Sequence, residues 1–188
     1  MNELKIFVKE TEMFNNDTQQ FINVEPCVLT LKHSLLSLSK WESKWEIPYL
    51  HDNKNKPKTL IQQLDYVRCM TINNNAVDPM VYYALKPNDL KKINEYINDP
   101  MTASTFNDRQ RKAPGRPQIV TSELIYCWMI EFGIPFDPCE KWHLNRLMTL
   151  IRACEVNNTS QKKMSKAEIG KQNEELNRIR RARLHSKG

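Results

Sequence analysis

A strongly amphipathic stretch of the chain is Ser34-Leu-Leu-Ser-Leu-Ser-Lys-Trp-Glu-Ser-Lys-Trp45. Apolar residues recur there at three- and four-residue steps, which is the spacing of one helix face. The charged residues at 40, 42, 44 and 46 predict a solvated opposite side, and Pro48 predicts the end of the helix. We therefore expect a helix over residues 34–45 whose apolar face comprises Leu31, Leu35, Leu38, Trp41 and Trp45.

The residues that precede this helix predict a β-hairpin. Residues 3–9 alternate and place Leu4, Ile6 and Val8 on one face, which is typical of a strand. A second extended run over residues 21–31 contains Pro26, so it must be an edge strand or carry a bulge. Two strands alone are marginally stable in water, so this hairpin must pack on helices or on a partner.

The residues after the helix predict further helices. We expect short ones over 60–71 and 80–85, and another that starts at Pro87. A clearer helix begins after Thr121 and ends near Gly133. The segment Asp137-Pro-Cys-Glu140 has the residues of a helix start, with an N-cap followed by proline. These last two helices are expected to form an antiparallel pair at the centre of the core.

The fold class expected from these elements is mainly α (α+β). We expect an N-terminal hairpin (1–32) packed on a helical body (33–156), followed by a basic, partly helical tail (157–188). Residues 1–160 contain 19 basic and 19 acidic side chains, whereas residues 161–188 contain nine basic and three acidic ones. The net charge of +6 therefore belongs to the tail. A neutral body argues against a fold with one broad nucleic-acid-binding face.

The sequence contains no pattern of catalytic, cofactor-binding or metal-binding residues, so we expect no enzyme, no cofactor and no metal. Its five cysteines show no C-x-x-C spacing and are expected to be reduced. Cys139 and His143 are four residues apart, but structural thiols are favoured over a metal site. No apolar run is long enough to span a membrane, and residues 1–12 are too charged and too regularly alternating for a signal peptide.

A basic segment in the middle of the chain leaves a nucleic-acid role open. Residues 109–116 carry Arg109, Arg111, Lys112 and Arg116 around a Gly-Arg-Pro core. Such an arm is typical of minor-groove binding, but a single copy between ordinary helices favours a basic surface loop. The alternative function is thus a regulatory protein that binds nucleic acid through this loop and the C-terminal tail.

Six strings of this sequence carry a resemblance when they are read in order. They are Thr30-Leu-Lys-His-Ser-Leu-Leu-Ser-Leu-Ser-Lys-Trp-Glu-Ser-Lys-Trp-Glu46, Asp65-Tyr-Val-Arg-Cys-Met-Thr71, Asp99-Pro-Met-Thr-Ala103, Glu123-Leu-Ile-Tyr-Cys-Trp-Met129, Lys141-Trp-His-Leu-Asn-Arg-Leu147 and Lys162-Lys-Met-Ser165. Together with the basic run after Asn177, which closes them, these strings resemble the tail assembly chaperones of long-tailed (siphovirus-type) bacteriophages. The resemblance spans nearly the whole chain.

The resemblance implies a non-enzymatic protein that binds the phage tape measure protein and helps to recruit tail tube subunits. It would act in the host cell cytoplasm and leave before the virion matures; a permanent tail or neck protein is the alternative. A homo-oligomer is possible, and no membrane partner is expected. The expected partner contacts are Trp41, Trp45, Arg180, Arg181 and Arg183, although paired tryptophans are more often core residues.

Overall fold

A computed structural model describes residues 3–15, 19–51, 57–73, 77–106 and 118–161, and the single positions 170, 174 and 178. The chain divides into two compact units, Met1–Ile151 and Arg152–Gly188. The first unit contains antiparallel strand pairs and helices, which confirms the α+β expectation. In the second unit the described residues are helical.

The N-terminal hairpin is a ribbon that is interrupted once. Its strands are β1 (Leu4–Val8), β2 (Thr11–Asn15), β3 (Gln20–Val24) and β4 (Cys27–Leu31). Strand β1 pairs with β4, and β2 pairs with β3, in one continuous register. The interruption falls where Pro26 lies, since proline has no N–H to donate to a ladder. The predicted hairpin is therefore present as two short ladders.

Helices follow the ribbon, and local capping residues fix their starts. Ser34 and Thr59 close capping boxes at the first two helices, and Thr121 caps a later one. The elements are α1 (Leu35–Trp45), α2 (Leu60–Met70), a 3₁₀ turn (Pro79–Tyr82), α3 (Pro87–Asn98), α4 (Ser122–Glu131), the short α5 (Phe136–Cys139) and α6 (Leu144–Gln161).

The main hydrophobic core lies among the β1·β4 ladder, α1, α2, the 3₁₀ turn and α3. The prediction that α4 and the next helix form its centre is wrong, because α4 instead packs against α1. The largest fully buried side chains include Leu29, Leu31, Leu38, Trp41, Tyr66, Met70 and Ile93. Further buried apolar side chains lie on α4 and on the first turns of α6: Ile125, Met129, Leu144, Leu147 and Ile151.

The helix start predicted at Asp137 is also wrong. Asp137 has non-helical backbone angles inside the short α5, and the peptide bond to Pro138 is cis. The long helix α6 begins only at Leu144, where the ring of His143 accepts a hydrogen bond from the Asn145 N–H at 3.3 Å. The predicted stop at Gly133 is present, since this residue has φ +64°.

Candidate protein-binding surface

The solvent-facing side of the β1·β4 ladder carries apolar side chains where polar ones are usual. Phe7 lies directly opposite Val28, and the two are 59% and 45% exposed. Ile72 is 53% exposed and belongs to the segment that borders β4. We call Phe7, Val28 and Ile72 the outer face. Three neighbouring exposed apolar side chains indicate a contact surface more strongly than isolated ones do.

Strand alternation is what places these side chains outward. Ile6 and Val8 of β1 and Leu29 of β4 point into the core, so the residues between them point to solvent. A short extension continues this pattern beyond β4. Ile72 donates its N–H to the Thr30 carbonyl at 2.8 Å, so its side chain joins the outward row of the neighbouring strands.

Positive charge borders the outer face. Lys5 occupies the outward row next to Phe7, and Lys9 follows two residues later on the same strand. Both are exposed. Glu3 lies 3.8 Å from Lys32 on the same side, and the exposed Glu12 lies on the adjoining ladder. Lys5 and Lys9 are the charged side chains that flank Phe7 along its strand, so a complementary surface would place acidic groups beside an apolar contact.

A second aromatic pair lies in the β2·β3 ladder. Phe14 and Phe21 face each other with ring centroids 5.1 Å apart in an edge-on arrangement. Both rings are exposed, whereas Val24 on the other side of the ladder is buried. Side-chain alternation therefore changes phase across the interruption at Pro26. The ribbon presents exposed phenylalanines on both of its ladders.

A buried polar cluster fixes the start of α1 next to the ribbon. The Nδ1 atom of His33 lies 2.6 Å from the Tyr66 hydroxyl, and its ring lies 5.1 Å from that of His143. His143 Nε2 lies 3.1 Å from the Tyr96 carbonyl oxygen, which can only accept, so Nε2 carries the proton. Burial and the neighbouring His143 lower the pKa of His33 to about 3. Burial also lowers the pKa of His143, so both rings are neutral.

Glu42 connects α1 to α4. The prediction that it lies on the solvated side of the helix is wrong. Its side chain is buried, and its two carboxylate oxygens accept from the Tyr49 N–H at 2.8 Å and the Ser122 N–H at 2.7 Å. Ser122 is the first residue of α4, where a negative charge stabilises the free N–H groups of the helix start. Helical periodicity gave no sign of this role.

The predicted contact residues have different outcomes. Trp41 is fully buried and donates its indole N–H to the Gln62 carbonyl at 2.8 Å. It is therefore a core residue in this structure and is not accessible to a partner. Trp45 is half-buried and donates to Asp65 at 2.8 Å. The predicted tail contacts and the basic loop lie outside the described residues: Arg180, Arg181, Arg183 and 109–116.

Thiol and metal chemistry find no support in the described part of the chain. Burial raises the pKa of Cys69 to about 11, and it also raises the pKa of Cys27 and Cys139, so these thiols are poor nucleophiles. Within the described residues, no three histidine, cysteine or carboxylate side chains lie together as metal ligands. In the same part of the chain, no helix combines the length and the apolar character needed to cross a membrane.

Comparisons with protein-family models, with curated proteins and with solved structures give no match.

Proposed function

We propose that this protein is a phage tail assembly chaperone that binds another polypeptide through the outer face. The observation that carries the proposal is the exposure of Phe7, Val28 and Ile72 on one side of the ladder, with lysines beside Phe7. Fully burying a large apolar side chain contributes about 1.5–3 kcal/mol, so three such residues can supply a useful binding energy. The resemblance of the sequence strings to tail assembly chaperones supports the choice of client.

In this proposal the client is the phage tape measure protein. Its long helical chain exposes apolar stripes until tail tube subunits polymerise around it. An apolar stripe with acidic neighbours could lie on the outer face and be kept from aggregating. The chaperone then helps to recruit tube subunits, is displaced by them and stays in the host cytoplasm. It works by covering a surface and catalyses no reaction.

The direct test is co-expression with the proposed client, a phage tape measure protein. We expect the chaperone to raise the soluble yield of the client and to co-purify with it. The variant Phe7→Ser removes an exposed ring, so it should leave folding intact and weaken the complex roughly tenfold or more. Failure of the unmodified protein to bind or solubilise the client would contradict the proposal.

A matched control separates the outer face from exposed apolar surface in general. Ile130 on α4 is 68% exposed, so Ile130→Ser removes a similar apolar group elsewhere. This variant should bind the client as the unmodified protein does. Equal loss in both variants would indicate nonspecific apolar contact. Mass spectrometry of purified particles completes the test, because a chaperone should be absent and a permanent tail or neck protein present.

A further inference from the structure

The two outer edges of the β1·β4 ladder differ in whether another segment is hydrogen-bonded to them. The edge of β4 is covered by residues 70–73: Lys32 N–H donates to the Met70 carbonyl at 2.8 Å, and Asn73 accepts from the Thr30 N–H at 3.0 Å. Among the described residues, no hydrogen bond reaches the backbone of β1 from any element except β4. An edge of this kind is a template for another strand.

We propose that the open edge of β1 pairs with β1 of a second copy, antiparallel and about a two-fold axis at Ile6. A two-fold pairing requires β1 to be complementary to itself. When the axis passes through Ile6, Leu4 of one copy lies opposite Val8 of the other on the core side. On the outward side, Lys5 lies opposite Phe7 and Glu3 lies opposite Lys9. Each outward lysine therefore meets an aromatic ring or a carboxylate.

The neighbouring registers are unfavourable for reasons of charge. Core-side residues must stay opposite core-side residues. The two-fold axis can therefore pass through a residue of β1 but not between two residues. A centre at Lys5 sets that lysine against itself, and a centre at Phe7 sets Lys5 against Lys9. Like charges directly opposite each other destabilise a strand pair. Lysines on an edge strand usually deter pairing; here they disfavour the two registers adjacent to the one centred on Ile6.

The pairing has a consequence for the outer face. Phe7 of one copy would lie beside Lys5 of the other, so the two outer faces join into one surface across the axis. Each copy contributes Phe7, Val28 and Ile72 to this surface. The joined surface is twice as long as one copy provides, which suits an extended binding partner. The self-pairing itself rests on β1 alone and does not require the proposed function.

The test is the mass of the full-length protein in solution, measured by light scattering after size exclusion over a range of concentrations. We expect a dimer of the 22.2 kDa chain that dissociates on dilution. Lys9→Glu places like charges opposite each other twice in the dimer, so it should weaken the dimer roughly tenfold or more. The double variant Glu3→Lys with Lys9→Glu restores opposite charges across the axis and should recover dimerisation; adding Lys32→Glu to it keeps an opposite charge beside position 3 within each copy.

The control is Lys40→Glu, which makes the same charge change at an exposed position of α1 and should leave the dimer unchanged. Circular dichroism of each variant checks that it is folded. A protein that stays monomeric up to high micromolar concentration would overturn the proposal. So would a dimer that Lys9→Glu leaves intact, or a loss that the double variant does not reverse. Because the readout is self-association, it is independent of any client.

Discussion

Acid is expected to destabilise this protein through the buried ring of His33. The ring is buried against His143 and Tyr66, and its pKa is about 3 instead of the ordinary 6.5. His33 therefore binds a proton near pH 6.5 in the unfolded chain, whereas in the folded chain it stays neutral until the pH approaches 3. Stability is fully present above pH 6.5 and is lost progressively as the pH falls toward 3.

The size of the loss follows from the two pKa values of His33. Each pH unit between them costs about 1.4 kcal/mol, which gives about 2 kcal/mol at pH 5 relative to pH 7.5. His143 adds to the loss in the same direction, because burial lowers its pKa as well. A small domain has only about 5–15 kcal/mol of stability, so this loss is easily measured.

Urea unfolding followed by tryptophan fluorescence at pH 7.5, 6.5, 5.5 and 5 provides the assay. His33→Gln removes the titrating ring but keeps an amide that can bond to the Tyr66 hydroxyl. Its stability at pH 7.5 should be lower, and its dependence on pH distinctly shallower. His51→Gln, at an exposed position, is the matched control. If unmodified protein is equally stable at pH 7.5 and pH 5, or if His33→Gln has the same slope, the reasoning is refuted.

Three further substitutions, with Gly170→Ala as a control, test local structure and packing by urea unfolding. Glu42→Gln leaves the buried Ser122 N–H without its carboxylate, and it should cost about 1.5–3 kcal/mol; an unchanged midpoint would show that the contact contributes little. Leu29→Ala empties a fully buried site and should cost about 2–5 kcal/mol, and a smaller loss would mean that the core relaxes around it. Gly133→Ala should cost about 1 kcal/mol because φ is +64°, whereas Gly170→Ala should cost nothing.

The elements that sequence reasoning predicted are those whose signals are local. Thr121 lies next to the helix that it caps, and Pro26 lies at the ribbon interruption that it causes. The apolar face of α1 was predicted because burial on one side imposes a helical repeat. In each case the physical cause lies within a few residues of its effect, so a single sequence was enough to find it.

The features that sequence reasoning missed depend on distant contacts. Glu42 has the spacing of a solvated residue, yet Ser122, 80 positions later, supplies the N–H that holds it inside. His33 and His143 are 110 positions apart and meet only because the α1 and α6 starts adjoin, where the Leu144 N–H donates to the His33 carbonyl. The segment at Asp137 has the residue types of a helix start, but the backbone angles of Asp137 are not helical. The spacing of residues within one helix or turn does not reveal which distant residues will contact it.

The polar groups of the interior also bear on how the outer face is interpreted. His33, Tyr66 and Glu42 have hydrogen-bonding partners inside the fold, and the core side of β1 is filled by Ile6 and Val8. The fold is therefore complete without the rings on the opposite side. An exposed phenylalanine gains almost nothing in folding and exposes apolar area that favours aggregation. A partner surface that covered these side chains would remove this exposed apolar area from water, which is why we propose the outer face as the binding surface.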